Sequence, residues 1–173
     1  MSGPTPTRDQ VLAALAPLVG LPLSGSHRAV DLRVFKFGRL RPFARGGEVG
    51  DYALHVQCAW RLDAADRIIT GRRDLIEPLW PGPDFDFDDW DYDSPPNLQD
   101  VRMAEVLLAH ARRPPVVAAV DADAYGGATL AFDSGVSLRL FPVGTRGEDW
   151  RIFRPCSSER HFVIAGGRVE PTG

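Results

Sequence analysis

An apolar residue stands at every second position from Tyr52 to Leu62. One face of the pattern carries Tyr52, Leu54, Val56, Cys58, Trp60 and Leu62, and the other carries Ala53, His55, Gln57 and Arg61. A repeat of two residues is the repeat of a β-strand, whose successive side chains point to opposite sides. The pattern therefore predicts a strand with one face in the core, and it leaves His55 on the opposite face.

Further short apolar runs, separated by turn residues, predict an antiparallel meander. These runs cover residues 29–37, 68–70, 116–120, 129–132, 136–141, 150–153 and 162–164. The apolar residues of the first run change phase between Val34 and Phe35, which predicts a β-bulge or burial on both faces. Asp133, Ser134 and Gly135 predict a three-residue hairpin turn in which Gly135 takes a positive φ.

Two segments have the pattern of helices. Thr7 and Gln10 form a capping box ahead of an apolar face, so a helix is expected over about residues 8–16. Asn97 is a good N-cap for a second helix with an apolar stripe, which Pro114 and Pro115 terminate. We expect this helix to pack across the sheet.

Two helices and about eight strands, joined mostly by hairpin connections, indicate an α+β fold. We predict a single domain over residues 7–173, with a mostly antiparallel sheet of about six to eight strands and two helices packed on one face. Residues 1–6 are small residues and prolines, and we expect them to be disordered. A doubly wound parallel fold would require more helices than the sequence contains.

Composition places the chain among ordinary globular proteins. It has 173 residues, 44% of them hydrophobic and 25% charged, with a net charge of −3. No apolar stretch approaches the roughly 20 residues of a membrane span, so no membrane association is expected. The N-terminal residues lack the pattern of a secretion signal, which makes a cytoplasmic location the expectation.

The sequence contains no cofactor motif. Cys58 and Cys156 are far apart and match no metal or redox spacing. Lys36 is the sole lysine, and the glycines near it form no P-loop, while Gly126 and Gly127 are typical of a turn. We therefore expect no cofactor. Direct binding of nucleic acid is also disfavoured, because the net charge is negative.

The most unusual feature is an acidic and aromatic run without lysine or arginine, which we call the acidic–aromatic segment (residues 84–93). Its residues are Asp84, Phe85, Asp86, Phe87, Asp88, Asp89, Trp90, Asp91, Tyr92 and Asp93. Neighbouring carboxylates repel one another, and rings left in water forgo the free energy of burial. The run therefore requires a cation, a basic partner or a fold that hides its rings.

One interpretation of this segment is a protein-binding surface. Aromatic side chains are enriched among binding hot spots, and dense charge steers association. Such a surface suits a non-enzymatic immunity or inhibitor protein with a basic protein partner. A structural role is the interpretation that the residues favour most: the rings would turn inward as an edge strand or lid, and the carboxylates would face water or meet basic residues between Arg28 and Arg45.

A calcium loop over residues 89–100 is a third interpretation. Asp89, Asp91, Asp93 and Asp100 occupy positions one, three, five and twelve of an EF-type loop. Ser94 replaces the usual glycine at position six, and an aspartate replaces the bidentate glutamate at position twelve.

Enzymatic chemistry has weaker signals. Asp121 and Asp123 share a face at the end of a predicted strand, where carboxylates can bind a metal or act as a base. His55 could join them to make a small metal-dependent enzyme, although solvent-exposed carboxylates and a surface histidine give the same pattern. His27 is expected in a loop. No nucleophile motif is present, so the sequence favours a protein without catalytic activity.

Two stretches resemble an uncharacterised family of small bacterial proteins. They are YALHVQCAWRL with GRRDL behind it, and LRLFP followed by GEDWRIF and HFVI. The resemblance covers about half the chain and implies a bacterial cytoplasmic protein. It implies no activity and no catalytic residue.

Overall fold

Antiparallel strands make up most of the structure, a computed structural model that describes residues 7–93 and 96–171. The two α-helices are α1 (Thr7–Leu15) and α2 (Leu98–Ala109). The strands are β1 (Leu23–Ala29), β2 (Leu32–Phe37), β3 (Arg41–Pro42), β4 (Glu48–Val49), β5 (Tyr52–Val56), β6 (Ala59–Asp63), β7 (Ile68–Gly71), β8 (Val117–Ala122), β9 (Ala128–Phe132), β10 (Ser137–Phe141), β11 (Glu148–Phe153), β12 (Phe162–Ala165) and β13 (Arg168–Val169). Short 3-10 turns cover Ala16–Leu18 and Arg72–Ile76. The expected disorder of residues 1–6 lies outside the described residues.

The strands are divided between two larger sheets and one hairpin. A six-stranded sheet has the order β1-β2-β5-β11-β12-β13, and a five-stranded sheet has the order β7-β6-β10-β9-β8. Strands β3 and β4 pair only with each other. All of these pairings are antiparallel. The predicted antiparallel α+β fold is confirmed.

The alternating stretch from Tyr52 to Leu62 forms two strands in different sheets. Its backbone N–H groups at Gln57 and Cys58 both donate to the carbonyl oxygen of Asp149, at 2.8 and 2.9 Å. Gln57 and Cys58 thus oppose the single residue Asp149. This is the geometry of a β-bulge, and a β-bulge bends the strand that contains it. The sequence pattern correctly predicts the buried face, but it does not show that the strand passes from one sheet to the other.

The core lies between the two sheets. The six-stranded sheet contributes Phe35, Leu54 and Trp150, and the five-stranded sheet contributes Trp60 and Leu138. Phe35 and Trp60 meet edge to face with ring centroids 5.3 Å apart. This contact places the inner faces of the two sheets directly against each other.

Each helix packs where an edge of one sheet comes near an edge of the other. Helix α1 contacts β8 and β13, and helix α2 contacts β1 and β7. Val11, Leu15 and Met103 from the helices are fully buried in the core. The helices therefore cover edge strands that would otherwise present unpaired backbone groups. Neither described helix is long and apolar enough to cross a membrane.

Several local predictions are confirmed. The Asn97 side chain caps α2 by accepting the N–H of Asp100 at 2.8 Å. Gly135 closes the hairpin between β9 and β10 with a φ of 82°. The phase change in the run 29–37 reflects burial on both faces, because Val34 and Phe35 are both buried.

The predicted strand over residues 29–37 is wrong in one respect, because Ala29 ends β1, and Val30 and Asp31 form a turn before β2. Val30 has a φ of 55°, and the chain reverses there between β1 and β2. Polar Asp31 follows in the turn. The reversal places His27 in β1, opposite Val34, so the expectation of a loop at His27 is also wrong.

We expect Gly126→Ala to destabilise the protein by about 2–4 kcal/mol. Gly126 has a φ of 80°, and a Cβ there would lie 2.6 Å from Cγ2 of Ile164, which is fully buried. The substitution adds overpacking to a strained backbone. Urea unfolding monitored by circular dichroism measures the change.

Gly135→Ala is the matched control, because Gly135 has nearly the same φ of 82° but open space around a Cβ. We expect it to cost only about 1 kcal/mol. If both variants lose the same free energy of unfolding, Ile164 makes room for the added methyl group without destabilising the protein.

Candidate functional site

The rings of the acidic–aromatic segment pack on one another at the surface. The centroid of the Phe85 ring lies 4.9 Å from that of Phe87 and 5.8 Å from that of Trp90. Phe87 is 60% exposed, and Phe85, Trp90 and Tyr92 are half-buried. None of the four is among the residues of the hydrophobic core. The segment is thus a separate aromatic cluster that remains accessible to a partner.

Four of the six carboxylates in this segment have no ion-pair partner in the part of the chain that the structure describes. Among the described residues, no arginine or lysine lies within ion-pair distance of Asp84, Asp86, Asp88 or Asp89. A carboxylate oxygen of Asp86 accepts the N–H of Asp88 at 2.9 Å, and Asp91 accepts the N–H of Asp93 at the same distance. These local bonds shape the backbone and leave the negative charge facing solvent.

A charged network fixes the C-terminal end of the segment to the fold. Arg28 on β1 pairs with Asp93 and also with Asp100 on α2, the latter at 3.1 Å. Arg33 on β2 donates to the other oxygen of Asp100 at 2.7 Å and is itself buried. The Asn97 amide donates to the backbone oxygen of Tyr92 at 3.1 Å. The segment therefore has a rigid support built from two strands and a helix N-terminus.

Asp100 is the centre of this network. Burial raises the pKa of its carboxyl, but hydrogen bonds from Asn97, Arg33 and Arg28 outweigh burial and hold the pKa below its usual range. Asp100 is therefore ionised at neutral pH and fully engaged by its neighbours.

An apolar depression adjoins the segment. Tyr92 lines a cavity of about 480 Å³ together with Ala59, Leu75 and Ile76, and Asp31, Arg72 and Arg73 complete the lining. Ile76 is 54% exposed, and Trp80, a few residues before the segment, is 83% exposed. An exposed apolar side chain such as Ile76 beside a depression is typical of a surface that meets another molecule.

The residues of the predicted calcium loop do not converge. Asp93 and Asp100 are paired with arginines, and Asp89 is exposed. Within residues 7–93 and 96–171, no group of three or more His, Cys, Asp or Glu side chains is arranged to hold a metal ion. Ser94 lies outside the described residues. A calcium site stays a prediction that no contact described here supports.

The candidates for a metal-dependent enzyme occupy different places. Asp121 pairs with Arg8 at 2.8 Å, and Asp123 accepts the N–H groups of Tyr125 and Gly127 at 2.7 and 2.8 Å, which closes a turn. Both aspartates line a cavity of about 230 Å³. His55 lines another cavity, so the three side chains do not form one site.

His55 lies on the outer face of the six-stranded sheet. Its ring meets that of Phe153 edge to face at 4.8 Å, and Phe153 in turn stacks on His161 at 4.1 Å. Burial, followed by the positive charge of Arg151 and the proximity of His27, lowers the pKa of His55 to about 4. The imidazole is therefore neutral at pH 7 and is a poor base.

Comparison with known proteins does not extend this picture. The chain matches no protein-family model, no curated protein and no solved structure. The resemblance to a family of small bacterial proteins stays a prediction. Function must be inferred from the geometry of the chain itself.

The structure shows two aromatic residues, Trp80 and Phe153, whose surface positions the sequence pattern does not reveal. The sequence pattern gives Trp80 no binding role, although the prolines around it, Pro78, Pro81 and Pro83, already exclude it from a regular buried strand. For Phe153 the pattern predicts only a position in a strand. Its place beside His55 follows from the pairing of β5 with β11, which the sequence pattern does not show.

We expect Arg28→Met to loosen the acidic–aromatic segment while the rest of the fold persists. The substitution removes the ion pair with Asp93, but Arg33 still holds Asp100. Chymotrypsin cleaves after large aromatic residues, so cleavage within residues 84–93 should become several-fold faster. Mass spectrometry of the fragments measures the rate and the position.

Arg8→Met is the control, because it breaks another ion pair, with Asp121, and neither residue belongs to the segment or lines the depression beside Tyr92. Equal cleavage of the two variants would mean that Arg28 does not anchor the segment.

The stability of the protein should fall between pH 6.5 and pH 4, and His55→Phe should reduce that fall. The folded-state pKa of about 4 lies below the ordinary value of 6.5, so the unfolded state binds more protons in this window. The contribution of neutral His55 is complete above pH 6.5 and is lost as the pH falls. Because the ring is partly solvated, the difference should be on the order of 1 kcal/mol.

Urea midpoints at several pH values, measured for both proteins, give the comparison. The pKa values of His27 and His161 are also lowered, so these residues make stability fall with pH in the wild type and in His55→Phe alike. Parallel pH profiles would exclude His55 as a source of the pH dependence.

Proposed function

We propose that this protein is a non-enzymatic binding protein whose acidic–aromatic segment engages a basic protein partner, in the manner of an immunity or inhibitor protein. One observation supports this best: the segment presents the exposed Phe87 ring beside Asp84, Asp86, Asp88 and Asp89, and no described arginine or lysine lies within ion-pair distance of these four carboxylates. A lid with buried rings would have placed them in the core, yet none of the four is there.

The chemistry of the segment suits an arginine-rich partner surface. Arginine binds carboxylates through two parallel hydrogen bonds and also packs over aromatic faces. Exposed Asp84, Asp86, Asp88 and Asp89 offer the carboxylates, and Phe87 offers a ring that is 60% exposed. A face that combines arginines with an apolar side chain would satisfy both features, with the apolar group entering the depression beside Tyr92.

The carboxylates and the rings of the segment would contribute to binding in different ways. Unpaired surface carboxylates accelerate encounter with a cationic partner, an effect that salt weakens. Burial of the rings provides most of the affinity, since a few aromatic anchors usually dominate an interface. The same negative field repels nucleic acid, which is consistent with a protein as the partner.

Replacement of all six aspartates of the segment by asparagine tests the proposal. Asparagine keeps a side-chain oxygen, so the side chains at positions 86 and 91 can still accept the N–H groups of residues 88 and 93 while the charge is lost. We expect a basic protein captured by the wild type to be lost. Phe87→Ser should weaken capture of the same protein with little change in its dependence on salt.

The control neutralises exposed acids elsewhere, through Asp9→Asn, Asp66→Asn and Glu105→Gln. This variant should retain the partner. Identical partner lists for the wild type and the six-asparagine variant, measured by quantitative mass spectrometry of pull-downs, would refute binding through the segment.

A further inference from the structure

A groove with an apolar half and a cationic half lies on the outer face of the six-stranded sheet. The apolar half is a cavity of about 570 Å³ lined by Val34, Phe43, Ala53, His55 and Phe153, among others. Its floor is formed by neighbouring strands, because Val34 on β2 is paired with His55 on β5. The hairpin of β3 and β4 forms a wall, since Glu48 and Val49 also line the cavity.

A second cavity, also of about 570 Å³, continues the first. It is lined by Arg41, Arg154, Ser157 and Ser158. The two cavities share Val49, Pro155 and Cys156, so they adjoin each other, and we treat them as the two halves of one groove. Its volume is ample for a small molecule, because ligand sites usually measure about 300–1,000 Å³.

The two arginines retain capacity for a ligand. Arg41 lies 3.7 Å from the carboxylate of Asp51 and donates to the backbone oxygen of Gly50 at 3.3 Å. Arg154 donates to Glu159 at 3.2 Å, and its guanidinium lies 5.9 Å from the Tyr52 ring centroid. A guanidinium has five N–H donors, and both side chains are about half exposed, so each can donate further hydrogen bonds.

The apolar half is suited to a planar ring. Phe43, Phe153 and His55 provide aromatic faces and edges, and Ala53 leaves space between them. His55 and His27 are neutral at pH 7, so they can pack against a ring without the cost of burying a charge. Lys36 directs its ammonium to the backbone oxygen of Glu48 at 2.6 Å and thereby ties the hairpin to β2.

We propose that this groove binds a small aromatic acid, with its ring against Phe153 and Ala53 and its anionic group between Arg41 and Arg154. The positive charge of the arginine half indicates that the ligand carries an anionic group. The shape and the lining of the apolar half indicate that the ligand carries an aromatic ring. The site is separate from the acidic–aromatic segment, so neither proposal depends on the other.

The probe for the test is 8-anilinonaphthalene-1-sulfonate, an aromatic anion that fluoresces when shielded from water. N-phenyl-1-naphthylamine has the same ring system without the sulfonate. We expect the double variant Arg41→Gln, Arg154→Gln to weaken binding of the sulfonate about tenfold or more and to change binding of the uncharged probe less than twofold. Ala53→Leu, which fills the apolar half, should weaken both probes.

Cys156 reports the location independently. It is exposed and lines both cavities, whereas Cys58 is buried and burial raises its pKa to about 12. Iodoacetamide should therefore alkylate Cys156 selectively, and saturating sulfonate probe should slow that reaction several-fold. This readout requires no substitution, so it holds even where a variant folds poorly.

The charge-matched control is Arg113→Gln with Arg146→Gln, since neither arginine lines the groove. Val49→Trp, on the hairpin wall, is a second blocking variant that leaves the core unchanged and should weaken the binding of both probes.

Any of three results overturns the proposal. They are no binding of the sulfonate probe to the wild type, equal binding of that probe to the wild type and to the Arg41, Arg154 double variant, or alkylation of Cys156 that is not slowed by saturating sulfonate probe.

Discussion

The carbonyl oxygen of Asp149 holds the two sheets of this protein in their mutual position. It accepts the N–H groups of Gln57 and Cys58, the two residues at which one continuous stretch of chain leaves the six-stranded sheet and enters the five-stranded one. The carboxylate of the same buried residue accepts the N–H of Gly167 at 2.9 Å, next to β13. Without this β-bulge, β5 and β6 would form one long strand in one sheet, and no second layer would face Phe35 and Leu54.

The same bulge determines which surfaces are available for binding. Val56 and Trp60 remain on the core side across the bulge, so the alternation leaves His55 and Ala53 on the outer face of the sheet. An antiparallel sheet with one face in the core can leave its other face to solvent. Here the β3–β4 hairpin covers part of that face and converts it into a groove. The position of the groove is thus a consequence of how the core is closed.

The sequence predicts those features that depend on neighbours along the chain. The alternation from Tyr52 to Leu62, the Asn97 cap and the turn at Gly135 all depend on residues within a few positions, and all were predicted. The division into two sheets depends on Asp149, about 90 residues after the bulge, and no local pattern shows it. The groove was missed for the same reason, because Val34, His55 and Phe153 come from three strands. The segment at 84–93 was recognisable by its composition, whereas the exposure of its rings depends on tertiary packing.

The support beneath the acidic–aromatic segment explains how a charged and apolar surface can be kept ready for a partner. A free chain of this composition would have to be ordered on binding, and that ordering reduces affinity. Arg28 and Arg33 meet the same carboxylate of Asp100, and Arg28 also holds Asp93, so one end of the segment is already fixed. A buried charge such as Arg33 is tolerated only when it is paired. Its pairing with Asp100 ties α2 to β2, and Arg28 ties Asp93 of the segment to the edge strand β1. Stability of the fold and readiness for binding therefore depend on the same ion pairs.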